Sequence, residues 1–139
     1  MRKYSAVIDT NIIFAGLYSN KGTSFKILES IENQTIIPIV STTLIFEYEE
    51  ILKRKQKQLG LLNSEIEAIL DAICEKGIEK KIHFLWRPQL RDPKDDHVLE
   101  LAVAASGADI ITFNSRDFDK AKLFGIRVLK PIELLEELQ

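Results

Sequence analysis

Short apolar runs rich in β-branched and aromatic residues alternate with longer amphipathic segments along this chain, and that alternation constrains the fold more than any single motif. The runs fall at residues 4–8, 36–40, 82–86, 109–113 and 126–129. Between them apolar residues recur at helical spacing over 12–18, 23–33, 41–55, 64–76, 95–106, 117–124 and 131–138. Ser, Thr, Asp or Pro marks the helical starts, and Gly60, Gly77, Gly107 and Gly125 stand where helices should stop. Strands that alternate with helices predict a mainly parallel central sheet covered on both faces, a three-layer α/β/α sandwich. Such a sheet gathers its chemistry at the carboxyl ends of its strands.

A length of 139 residues suits one domain spanning 1–139, since compact domains run to ~100–150 residues. The 45% hydrophobic fraction is normal for a globular protein, and 29% charged residues with a net charge of −2 give no argument for disorder. No run approaches the ~18 apolar residues of a membrane span. The N-terminus passes straight into a strand-like segment rather than a signal peptide, so a cytoplasmic protein is expected. The single Cys74 cannot form an internal disulfide and continues the stripe Ile66, Ile69, Leu70, Ile73, which predicts a core position. Basic residues gather at Lys53, Arg54, Lys55 and Lys57, at Arg87, Arg91 and Lys94, and at Arg116, Lys120 and Lys122. Each group reads first as a solvated face and second as a phosphate contact.

Four acidic regions fall at positions that this fold brings together. Asp9, in Asp9-Thr10-Asn11, closes the first strand. Glu47 lies in the helical segment 41–55, on the stripe Leu44, Glu47, Tyr48, Ile51 that should face the core. A buried, unpaired carboxylate costs several kcal/mol, so Glu47 requires a cation or a polar cleft beside it. Glu49 and Glu50 face solvent. Asp95 stands in phase with Val98, Leu99 and Ala102 and should point inward, whereas Asp96 is turned further round. Asp117 and Asn114 follow the strand 109–113. Taken singly, Asp9, Asp95, Asp96 and Asp117 read as helix caps, Glu47 as a salt-bridge partner at the rim of the core, and Asn114 as a left-handed turn residue. Together they form an oxygen-rich cluster of the kind that hard cations such as Mg²⁺ or Mn²⁺ neutralise. With only His83 and His97, and no Cys/His spacing, a zinc site is not expected. His97 reads as a surface helix residue.

Val7-Ile8-Asp9-Thr10-Asn11, then Ser41-x-x-Leu44-x-x-Glu47, Asp92-Pro93-Lys94-Asp95-Asp96, and Thr112-x-Asn114-x-x-Asp117-Phe118 resemble, in order and spacing, the PIN-domain nucleases. That family includes toxins of toxin–antitoxin pairs. The resemblance implies one or two Mg²⁺ or Mn²⁺ ions held by Asp9, Glu47, Asp95 or Asp96, and Asp117, activating water for phosphodiester cleavage. Asp95 is the preferred third acid. Asn114 stands where members carry Asp or Asn. The implied function is endoribonuclease action on single-stranded RNA. Thr10, Asn11, Ser41 and Asn114 would orient carboxylates or phosphate, and Lys53, Arg54 and Arg116 would hold the nucleic-acid backbone. An antitoxin and a homodimer or higher homo-oligomer are the implied partners, with no membrane. Three other readings stand beside this one. An aspartyl-phosphate hydrolase would want an acid where Asn11 stands, and a receiver-like domain would want its acid pair after the first strand. The third is a PIN module that binds nucleic acid or regulates without catalysis.

Overall fold

The computed structural model describes residues 3–82 and 95–139. Five strands form one all-parallel sheet: β1 (Tyr4–Ile8), β2 (Ile36–Val40), β3 (Ile78–Glu79), β4 (Asp109–Ile111) and β5 (Val128–Leu129), in the order β3-β2-β1-β4-β5. Interleaved with them are α1 (Thr10–Tyr18), α2 (Thr23–Glu32), α3 (Thr42–Arg54), α4 (Gln56–Leu59), α5 (Asn63–Lys76), α6 (Asp96–Ala104) and α7 (Pro131–Leu138). The architecture is the α/β/α sandwich that the alternating pattern predicts. Central β1 is its axis, with Ala6, Val7 and Ile8 fully buried, as a strand covered on both faces requires.

The order places β1 between β2 and β4, so the chain switches direction of winding at the end of β1. A doubly wound sheet opens a crevice at such a point, and Asp9 is the first residue beyond that strand.

Three local expectations are corrected. The third strand is the two-residue Ile78–Glu79 rather than 82–86; Ile82 is not in a strand, and the rest of 82–86 lies outside the described residues. Gly77 ends α5 in tight quarters, where an added Cβ would lie 2.7 Å from the Pro38 carbonyl oxygen, so β3 starts immediately after the helix. The segment 117–124 is not a regular α-helix. It is a run of 3-10 turns over Ser115–Phe124, broken where Phe118 leaves helical backbone angles (φ −117°, ψ 29°) to bury its ring. Cys74 is exposed, because α5 buries the narrower stripe Ile66, Leu70, Ile73 and turns the next position outward.

Candidate acidic cleft at the end of the central strand

Helix α3 is set on β1 by Tyr48. Its ring is fully buried, and its hydroxyl donates to the carbonyl of Ile8, the last residue of the strand. The Ser41 hydroxyl caps the same helix, accepting from the Leu44 N–H at 3.1 Å. The buried stripe of α3 is therefore Leu44, Tyr48, Leu52, with Glu47 on its flank; the Glu47 side chain is 30% exposed. The expected core-facing phase is thus off by part of a turn. That offset is what lets Glu47 border a cleft instead of sitting inside the core.

The cleft encloses about 380 Å³, and its walls include Asp9, Asn11, Glu47, Asp95, Asn114 and Lys55. Thr10 and Arg54 also line it. Thr10 links the two acids nearest the sheet: its N–H donates to Asp9 Oδ1 at 2.9 Å, and its hydroxyl donates to Glu47 Oε2. Asp9 thus caps α1 and borders the cleft at once. Its other oxygen accepts from the Thr112 hydroxyl at 2.6 Å, and Thr112 Oγ1 in turn accepts the Asn114 N–H at 3.0 Å. The remaining oxygen of Glu47 lies 3.0 Å from His97 Nε2, and a carboxylate can only accept, so the imidazole donates there.

The two carboxyls respond to their surroundings in opposite ways. Burial pushes Asp9 above the ordinary aspartate value, and repulsion from Glu47 adds to this; the hydrogen bonds from Thr112 and Thr10 and the attraction of His97 oppose the rise without cancelling it. Burial also pushes Glu47 upward, but the hydrogen bonds from His97 and Thr10, with the attraction of His97, outweigh it and leave Glu47 below its ordinary value.

His97 is a correction: far from lying on the surface, it is only 6% exposed. Helix α6 is buried on every side from Asp96 to Ala102, so the stripe Val98, Leu99, Ala102 could not tell inward from outward positions. The same burial reverses the depth expected for the acid pair. Asp96 is 1% exposed while Asp95 is half-buried, and Asp95 is the one that lines the cleft. The Asp95 side chain makes no capping hydrogen bond to α6.

Of the other expected residues, some line the cleft and some lie outside it. Asp117 does not line the cleft; its N–H bonds to the Asn114 carbonyl at 2.9 Å in the neighbouring turn. Asn114 is exposed with φ −106°, not left-handed. Ser41 serves as the α3 cap and does not line this cleft. Arg54 lines the cleft and pairs with Glu50 at 3.2 Å, whereas Lys53 pairs with Glu49 at 3.2 Å outside it, and Arg116 is exposed on the 3-10 segment. Residues that sequence reasoning missed are Thr112, hidden as an ordinary strand-end threonine, and His97.

The donor set is all oxygen, which suits a hard divalent cation. The Asn11 side-chain oxygen is buried and has no hydrogen-bond donor among the described residues, so the cleft wall holds an acceptor that a cation would satisfy. Among the described residues, no three acidic, His or Cys groups already close around one point as a cation cage. Also among them, no helix is long and apolar enough to cross a membrane.

Residues 5–116 match the family model described as "PIN domain". No curated protein matches the chain. Among solved structures, the chain is similar to one in the crystal structure of VapBC2 from Rickettsia felis bound to a DNA fragment from their promoter. The likeness has 14% identity and a TM-score of 0.63, and covers 91% of this chain and 98% of that one. At that identity it speaks for the fold.

Proposed function

The chain belongs to the PIN-domain family, whose members are generally nucleases, and from that premise we propose that it is a Mg²⁺- or Mn²⁺-dependent endoribonuclease acting on single-stranded RNA. The observation that carries this reading is the shared cleft: Asp9, Glu47 and Asp95 line it together with Arg54 and Lys55. Acids to work on water and cations to hold a phosphodiester are thereby on one surface.

Each residue has a distinct task in this reading. Arg54 and Lys55 hold the RNA backbone by charge. Thr10 and Thr112 fix the carboxylate planes, and the His97 imidazole keeps Glu47 ionised and oriented. An ionised Glu47 can take the proton of an attacking water. Asp9, Glu47 and Asp95, with the Asn11 oxygen, would hold a divalent cation, which when bound supplies an acidified water. Asp117 belongs to the proposal as the acid of the adjoining turn, available to a second ion. A protein antitoxin, self-association and a cytoplasmic setting complete the proposal.

The absence of a ready-made cage of three acids among the described residues favours a second reading, a PIN module that binds nucleic acid without cutting it. One experiment separates the two. Single-stranded RNA is incubated with pure protein in Mn²⁺, in Mg²⁺ and in excess EDTA, and the protein is melted in each. Cleavage confined to the metal arms, with a melting temperature raised by the ion, is expected. Undiminished cleavage in EDTA overturns the metal mechanism; no cleavage and no thermal shift in saturating Mn²⁺ leaves the binding module.

A further inference from the structure

Helix α1 leaves the acidic cleft with aromatic rings on its outer face. It buries Ile12, Ile13 and Gly16, while Asn11, Phe14 and Tyr18, at i, i+3 and i+7, share a more open side. Asn11 and Phe14 line the cleft, and Tyr18, in the last turn of the helix, is 56% exposed. The two rings stack, with centroids 5.7 Å apart and planes 13° from parallel. Gly16 fixes where this face runs: a Cβ there would lie 2.5 Å from Leu28 Cδ1, so α1 is seated closely on α2.

Two rings one turn apart also steady their own helix, and that accounts for the contact between them. It does not account for their place. The pair begins in the cleft, on walls shared with Arg54 and Lys55, and ends in solvent. Cations beside flat rings on an open groove suit a single-stranded nucleic acid, whose phosphates meet the charges and whose bases meet the rings. The acids lie at the near end of the same helix. Phe14 stands roughly 7 Å and Tyr18 roughly 13 Å beyond Asp9 along the axis, at ~1.5 Å per residue, so nucleotides next to a phosphodiester at the acids come within reach of the rings.

We propose that Phe14 and Tyr18 form a stacking platform for an unpaired base of the RNA, close in the strand to the phosphodiester held in the acidic cleft. The assignment rests on the nuclease reading for the identity of the polymer. It adds a reason for the strand to be single: bases inside a duplex have their faces covered by neighbours, whereas an unpaired base offers one to the rings. Every base has such a face, so the platform holds the strand without choosing its sequence.

The test uses metal-free protein in EDTA at low salt, so that binding is read without cleavage. Affinity for a short single-stranded oligoribonucleotide, and for the same strand made abasic, is measured against salt for the wild type, Tyr18→Ala and Tyr18→Phe. Tyr18→Ala should bind the intact strand about tenfold more weakly or worse, and Tyr18→Phe, which keeps a ring, should bind it as the wild type does. The log–log salt slope should be the same for all three, because no phosphate contact is lost. All three should bind the abasic strand alike. Equal affinity of Tyr18→Ala and wild type for the intact strand overturns the platform, as does an equal loss on the abasic strand or a wild type that binds neither. A wild-type dimer that Tyr18→Ala turns into a monomer in sedimentation makes the rings a contact between copies and overturns it too. Cleavage in Mn²⁺ is scored separately. A chain with the expected binding pattern that never cuts keeps the platform and loses the nuclease reading; one that cuts with a KM unchanged by Tyr18→Ala does the reverse.

Discussion

The strand side and the helix side of the acidic cleft each contribute a carboxylate, and the fold treats the two in opposite ways. Asp9, on the strand side, is 7% exposed, accepts from two neutral donors, and is held above its ordinary value. Glu47, on the helix side, is more open, accepts from a buried imidazole, and is held below it. Burial pushes both upward, less so at the more open Glu47, and the partners widen the difference: threonine and backbone donors offset part of the rise at Asp9, to which Glu47 adds its repulsion, whereas the imidazole beside Glu47 outweighs it. The pair is thus set apart, the ionised form being favoured at Glu47 and disfavoured at Asp9.

The largest effect that would break this contrast is on cleavage. Glu47→Gln should lower the rate of RNA cutting by ~100-fold or more, the scale of a lost proton acceptor, while Glu49→Gln should leave it nearly intact. Glu49 pairs with Lys53 away from the cleft. Equal losses measured in parallel assays would mean that the flank position of Glu47 has no functional weight.

A smaller effect should divide the adjacent acids on α6. Asp95→Asn is expected to reduce cleavage while melting close to wild type, because Asp95 is half-buried at the cleft wall. Asp96→Asn, at 1% exposure, should instead lower the melting temperature. Loss of cleavage by the Asp96 variant at unchanged stability would move the third acid by one residue.

The smallest effect concerns stability alone and sharpens the contrast in EDTA. Because the folded-state pKa of Asp9 is raised, its proton favours the folded chain below the ordinary aspartate value, and that contribution is lost as pH rises through the folded value. Near neutral pH Asp9 therefore weakens the fold, and Asp9→Asn should melt at the same temperature as wild type or higher. The advantage should shrink as pH falls. For Glu47, with its value lowered, the sign is opposite: its contribution is complete above the ordinary glutamate range and disappears as pH drops through the folded value, so Glu47→Gln should melt lower at neutral pH. A clearly destabilised Asp9→Asn protein in metal-free buffer would make Asp9 a plain helix cap.

These sites differ in how much of them was written locally. Asp9 was legible because a strand-like run ends one residue before it, and Glu47 because a charge within an otherwise apolar stripe stands out, although the structure sets it on the flank of that stripe. His97 was not, since a helix buried all round has no polar face against which an inward residue can be recognised. A two-residue strand such as β3 is too short to show any period, and the break at Phe118 depends on where its ring finds room. Thr112 became meaningful only when parallel pairing set Ile8 against Ile111 and brought the two strand ends together.

Thr10 gives the cleft its scale. It follows Asp9 directly in the chain and spends its two polar hydrogens on Asp9 and Glu47. Asp9 is also held by Thr112 and Glu47 by His97, but Thr10 is the residue bonded to both acids, and it ties the spacing of the two charges to the junction of β1 and α1. Small displacements elsewhere, as α2 or α7 shifts against its neighbours, then add little error to that gap. The interval between the two carboxylates is thereby set where the chain leaves the central strand and enters its first helix.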